Sequence, residues 1–282
     1  MKVVFFGSSR YVVPVLEMLH EQFDLPLVVT TEQNRMDAVP FYCESKKIEY
    51  LIVRKSADLI SNFQIEETQA NIGIVADFGV LIPDQMLNAF PYGLLNLHPS
   101  LLPKYRGPTP VQNAILNGDT ETGISIIRLD HYLDHGPVVA QTKETINATD
   151  TAKSLYERLF KIGGQLLLKT LQNFNNTQSA FTEQNHENAT FTKPLSRDDG
   201  FLDLKKIYGA KEFFERMIRA YYPWPGVWTK AKIKDNLLLV KFLPEKKIQV
   251  EGGNEMAYKD FLNGYAERAA DPDLISFLKK EL

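Results

Sequence analysis

Three side chains suited to acyl transfer stand in two short stretches of this sequence. Asn96 and His98 are two apart in Leu94-Leu95-Asn96-Leu97-His98, a run that reads as a strand, so both leave the same face. Asp134 lies downstream in Asp130-His131-Tyr132-Leu133-Asp134-His135-Gly136, a loop between two strand-like segments. An Asn amide N–H can donate to the oxyanion of a tetrahedral intermediate. A His can move a proton or, when charged, stabilise that oxyanion, while an Asp orients the ring and favours imidazolium. An acceptor amine can then attack directly, and no side chain need act as nucleophile. A hydrolase triad of Ser100, His98 and Asp134 fits less well, because Ser100 lacks the G-x-S-x-G elbow and sits two residues from its base. His131 and His135 read as loop surface.

The elements around these residues must bring them into one cleft. Short runs rich in Val, Ile and Leu at residues 3–6, 25–30, 50–53, 72–76 and 94–97 alternate with amphipathic stretches. That pattern predicts a mostly parallel sheet covered by helices on both faces. Ligands bind such sheets at the carboxyl ends of the strands, where Asn96 and His98 fall. Pro99 and Pro103 stop the ladder there and shape the following loop. Gly7-Ser8-Ser9 reads as a turn into a helix, able to hold an anion or a ligand's polar end. The absence of G-x-G-x-x-G argues against a dinucleotide. Beyond the loop come an expected helix at 109–116, strands at 123–129 and 138–142, and a long helix capped by Asp150. The polar stretch 175–188 reads as a connection, giving a first domain at 1–175, a linker at 176–204 and a second domain at 205–282. In the second domain a helix at 209–221 leads to strands at 227–233 and 237–242, and residues 258–282 are helix-compatible.

The chain has 282 residues, 44% hydrophobic and 24% charged, ordinary for globular domains. Its net charge of −3 conceals an asymmetry: residues 205–247 hold 11 Lys or Arg against 4 Asp or Glu. That zone calls for an anionic partner. The single cysteine, Cys43, reads as a small core residue, and no Cys/His spacing suggests a metal. Without a signal-peptide pattern or a membrane-length apolar run, the protein is expected to be soluble and cytoplasmic, and to work as a monomer.

Asn96-x-His98-x-Ser100-Leu101-Leu102-Pro103-x-Tyr105-Arg106-Gly107 followed by Leu133-Asp134-x-Gly136 resembles the signature of the folate-dependent formyltransferases. The resemblance implies a Rossmann-like formyltransferase domain that uses 10-formyltetrahydrofolate. It assigns catalysis to Asn96, His98 and Asp134, and the folate pocket to Ser100, Leu101, Leu102, Pro103, Ala76, Asp77, Phe78 and Gly79. Further elements are similar to the branch that formylates methionyl initiator tRNA: Phe5-Phe6-Gly7-Ser8-Ser9, residues 189–200, Ile218-Arg219-Ala220-Tyr221-Tyr222-Pro223-Trp224-Pro225-Gly226 and Met256-Ala257-Tyr258-Lys259-Asp260-Phe261-Leu262-Asn263-Gly264. They imply a C-terminal domain of OB type, here reduced, because residues 228–256 are too few for a five-stranded barrel. Acceptor contacts are then expected from Arg35, Lys104, Arg106, Lys230, Lys232 and Lys234. Three departures stand out: the loop 30–38 has Arg35 as its one cation, Tyr132-Leu133-Asp134-His135-Gly136 replaces the usual Gly-Leu-Asp-Thr-Gly, and the second domain is short. An amino-sugar formyltransferase acting on a nucleotide-linked substrate would explain the loop but not the Pro-Trp-Pro-Gly element. A non-catalytic folate- or nucleotide-binding regulator would not need Asn96, His98 and Asp134.

Overall fold

The computed structural model describes residues 1–32, 36–61, 65–174, 181–205, 211–233, 236–265 and 271–281. They divide into two compact units, one of Met1–Pro110, Glu121–Thr145 and Tyr156–Lys193, the other of Val111–Thr120, Ile146–Leu155 and Pro194–Leu282.

The first unit is built on a seven-stranded sheet. Its strands are β1 (Lys2–Gly7), β2 (Asp24–Thr30), β3 (Tyr50–Ile52), β4 (Ile72–Ala76), β5 (Leu94–His98), β6 (Glu121–Arg128) and β7 (Val138–Thr145), in spatial order β3-β2-β1-β4-β5-β6-β7. β1 to β5 are mutually parallel, β6 runs antiparallel to them, and β7, antiparallel to β6, runs in the direction of β5 again. Val3, Val4, Phe5 and Phe6 are all fully buried, so the strand reads as an unbroken apolar run. Alternate residues feed two cores. Val3, Phe5, Ile72, Ile74, Leu95 and Leu97 enter one, and Val4, Phe6, Val75 and Leu94 enter the other. Each fully buried side chain of this size contributes about 1.5–3 kcal/mol. β5 is thereby clamped through Leu95 and Leu97, and its opposite face runs from Leu94 to Asn96 and His98.

Helix α1 (Val13–Gln22) and helix α2 (Ala38–Lys46) pack Val15, Leu16, Leu19, Val39 and Cys43 into the first core. Helix α3 (Pro110–Asn117) follows β5, and helix α4 (Ala152–Gln172) follows β7. Helix α4 places Phe160, Leu167, Leu171 and the adjoining Phe174 in the first core, with Ile162 and Leu166 packed against it. Its cap differs from expectation. Thr151 and Ser154 exchange hydroxyl-to-N–H bonds at 3.2 and 3.0 Å, whereas the Asp150 carboxylate accepts from Asn147 N and the Ser154 hydroxyl.

The second unit contains helix α5 (Lys211–Tyr221), strands β8 (Val227–Ile233), β9 (Asn236–Leu243), β10 (Lys247–Val250) and β11 (Glu255–Ala257), and helices α6 (Tyr258–Tyr265) and α7 (Pro272–Glu281). The expected reduced, β-rich domain is thus an antiparallel meander in the order β11-β10-β9-β8. Phe214, Phe242 and Phe277 form its aromatic centre, with ring centroids 4.8–5.6 Å apart. No helix among the described residues is long and apolar enough to cross a membrane.

Candidate active site

Asn96, His98 and Asp134 meet as the sequence spacing predicted. Loop 129–137 carries Asp134 to the exposed end of the β5 face. There its Oδ1 accepts from Asn96 Nδ2 at 3.3 Å, its Oδ2 accepts from Gly107 N at 2.7 Å, and Oδ2 also faces His98 Nδ1 at 3.5 Å. His98 and Asp134 are 4% and 8% exposed, so their charges act in a medium that screens poorly. The ring is oriented by a group the sequence did not suggest. His98 Nε2 lies 2.9 Å from the Tyr105 carbonyl oxygen, which can only accept, so Nε2 carries a proton. The other ring nitrogen, Nδ1, is the one that faces Asp134. One N–H of Asn96 is directed to Asp134, and its second donor remains for a substrate oxygen.

The loop after β5 is locked from beneath. Ser100 is fully buried; its hydroxyl donates to Lys104 O at 2.6 Å, and its carbonyl accepts from Ser125 Oγ at 2.6 Å. The Leu102 N–H donates to Ser125 Oγ, and Gln141 Nε2 donates to the Leu102 carbonyl. Ser100 therefore shapes the loop, and Leu101 and Pro103 are partly exposed. Across β4, Ala76 and Phe78 are buried, and Phe78 meets Phe6 edge-on at 5.6 Å. Asp77 and Gly79 both have positive φ, 46° and 77°, which turns the chain sharply at the strand end. Asp77 keeps exposed surface, yet the protein around its carboxyl raises its pKa, opposed by a hydrogen bond from Ser9. Ser8 spends its hydroxyl joining strand ends, donating to Phe78 O and accepting from Thr31 N and Oγ1.

The expected acceptor contacts divide. Lys104 is exposed on the first unit, and Lys230 and Lys232 are exposed on β8 of the second. Arg35 and Lys234 lie outside the described residues. Arg106 is a correction: it is 3% exposed and turned inward, so it cannot meet an acceptor at the surface. Its Nε and Nη2 donate to Gln184 Oε1 at 3.2 and 2.7 Å, and Nη2 donates to His186 Nδ1 at 2.8 Å. Burial lowers its pKa from the usual value, and the Asp134 and Asp130 carboxylates oppose that shift.

Residues 181–193 belong to this unit, past the boundary expected at 175. They return across the site as a strap. Thr182 pairs with Val138, Thr190 Oγ1 accepts from Tyr105 N, Thr192 N donates to Arg106 O, and Thr192 Oγ1 accepts from Thr109 N. Gly107 has φ 104°, and a Cβ there would press on the Thr192 carbonyl at 2.8 Å. Gln184, His186, Thr190 and Thr192 were missed because their polarity matched a linker. The two-residue spacing of Thr190 and Thr192 around the exposed Phe191 was the available signal. Among the described residues no cluster of His, Cys, Asp and Glu is placed to hold a metal.

A family model described as formyl transferase matches residues 16–171. The chain is 34% identical over 247 residues to a methionyl-tRNA formyltransferase of Roseiflexus sp. (strain RS-1), covering 83% of this chain and 75% of that one. It is 36% identical over 235 residues to a methionyl-tRNA formyltransferase of Thermus thermophilus, covering 80% and 75%. Among solved structures, a 4-N formyltransferase from Francisella tularensis superposes with a TM-score of 0.65 at 19% identity, over 87% of this chain and 98% of that one, which supports the fold. With the three polar residues assembled and this identity extending over most of both chains, the chain belongs to the methionyl-tRNA formyltransferase family.

Proposed function

We propose that the protein transfers the formyl group of 10-formyltetrahydrofolate to the α-amine of methionyl initiator tRNA. The observation that carries the reading is the triangle of Asn96, His98 and Asp134 on a chain so similar to enzymes of that name. The amine nitrogen attacks the formyl carbon, and the carbonyl π electrons move to oxygen. The free N–H of Asn96 and a protonated His98 stabilise that oxyanion, with Asp134 stabilising the charged ring. Collapse re-forms the carbonyl and breaks the bond to the folate N10, which takes up a proton as the new amide nitrogen loses one. Ala76 to Gly79 and Ser100 to Pro103 form the two walls assigned to the folate. The reaction belongs in the cytoplasm, by a single copy of the chain.

The second unit offers a surface for the tRNA backbone. Trp228, Lys230 and Lys232 alternate on β8 with the buried Val227, Thr229, Ala231 and Ile233, and Lys241 pairs with Trp228 across the sheet. The Arg197 guanidinium lies 5.3 Å over the Trp228 ring, and Phe201 meets the same ring at 5.0 Å. Cations interleaved with aromatic rings suit phosphates and exposed bases. Reversing the charge at Lys230 and Lys232 should weaken tRNA binding about tenfold or more and flatten the plot of log affinity against log salt by roughly 1 to 2. Filter binding across a KCl series measures both; an unchanged slope removes this face from the footprint. To test the acceptor, the protein is given 10-formyltetrahydrofolate with either methionyl initiator tRNA or a nucleotide-linked amino sugar. Formyl found only on the sugar amine overturns the proposal.

A further inference from the structure

We propose that Gln184, aligned by Arg106, is the positioning residue that holds the Asp134 turn in its working conformation. Asp134 has φ 46°, a conformation uncommon outside glycine and held here by its surroundings. The surroundings here are chiefly one amide. Gln184 is 6% exposed, and its Nε2 donates to the Asp134 carbonyl at 2.9 Å and the Gly136 carbonyl at 2.7 Å. Its Oε1 accepts from Arg106 Nε and Nη2, so all four hydrogen-bonding positions of the amide are used. Arginine has no acceptor, which forces the oxygen of Gln184 toward it and the NH2 toward the two carbonyls. The amide cannot turn over without setting oxygen against oxygen.

The same strap also stacks on the loop's own His135, which is bonded to Asp130 within the loop. His186 accepts from Arg106 through Nδ1, so that nitrogen is unprotonated, and its ring lies parallel to His135 with centroids 3.9 Å apart. His135 Nδ1 is 2.6 Å from Asp130 Oδ2. One segment, distant in sequence, therefore grips the loop from Asp134 to Gly136, through two carbonyls and the His135 ring. Gln184 and Arg106 act through Asp134, whose carboxylate in turn faces His98.

The inference rests on the proposed transfer reaction. Its test is Gln184→Glu, which keeps the shape and the partnership with Arg106 but sets carboxylate oxygen against the two carbonyls. At neutral pH kcat should fall about 10- to 100-fold while KM for either substrate stays within about threefold. Activity should recover relative to wild type as pH falls, because a protonated carboxyl regains one donor. Gln184→Met, without a donor at any pH, should lose kcat with no acid recovery. A loss carried by KM alone, or wild-type kcat and pH dependence in the Glu variant, overturns the proposal. A wild-type protein that formylates neither amine sinks the functional reading instead. The 15N resonances of the His98 ring then decide: the proposal requires them to move in both variants, and unmoved resonances overturn it. Should Gln184→Glu not fold, Arg106→Lys keeps the charge but loses the fork, and wild-type kcat there overturns the proposal equally.

Discussion

Replacing His98 or Asp134 with alanine is expected to slow formyl transfer at least about a hundredfold, the scale of a lost proton carrier or oxyanion partner. The two losses should differ in character. Removing His98 deletes the ring whose Nε2–H rests on the Tyr105 carbonyl and leaves the Asp134 bonds to Gly107 and Asn96 in place. Removing the Asp134 carboxylate strands the buried Gly107 N–H and frees the Asn96 amide as well. That should lower stability by about 1–3 kcal/mol, the cost of an unsatisfied buried donor. Single-turnover formyl transfer measures the first effect and denaturant unfolding the second. Near-normal transfer in either variant would refute the mechanism.

A methyl group where no chemistry takes place should do comparable damage. A Cβ on Gly136 would run into the carbonyl oxygen of Arg128, at the end of β6, and that backbone is held by the pairing of β6 with β5. Gly136→Ala must therefore open loop 129–137, the segment that carries Asp134. Transfer should fall about a hundredfold or more, with a destabilisation of about 1–3 kcal/mol from overpacking. Loss of activity together with a lowered melting temperature is the expected pair of results. A variant with wild-type rates would show that the loop tolerates displacement, and that Asp134 is placed by other contacts.

Much of the scaffold was legible because burial writes itself into residue type. The run Ile72–Ala76 matches β4 at both ends, and the alternation from Val227 to Ile233 marks β8. Strand direction was not legible. β6 and β7 carry the same apolar signal whether they run with β5 or against it, and only the pairing shows β6 running against β5 and β7 running with it. β10 and β11 went unseen because four and three residues give too short a period to register. At the site, Asn96, His98 and Asp134 were visible as chemistry, whereas the Tyr105 carbonyl was not, since any residue supplies a carbonyl. Arg106 was misplaced at the surface by its charge. A guanidinium whose donors meet Gln184 and His186 can be buried, and those partners lie about eighty residues away in sequence.

The strap also sets a clock on the newborn chain. Gln184 leaves the ribosome 50 residues after Asp134, which at roughly 5–20 residues per second is a delay of about 3 to 10 s. By its end the strands of the seven-stranded sheet have all been synthesised, and until then the Asp134 turn lacks the Gln184 amide. If Gln184 holds this turn as proposed, competence is acquired in translation later than the sheet, and a message cut short after α4 would yield the sheet without the strap that bonds the Asp134 turn.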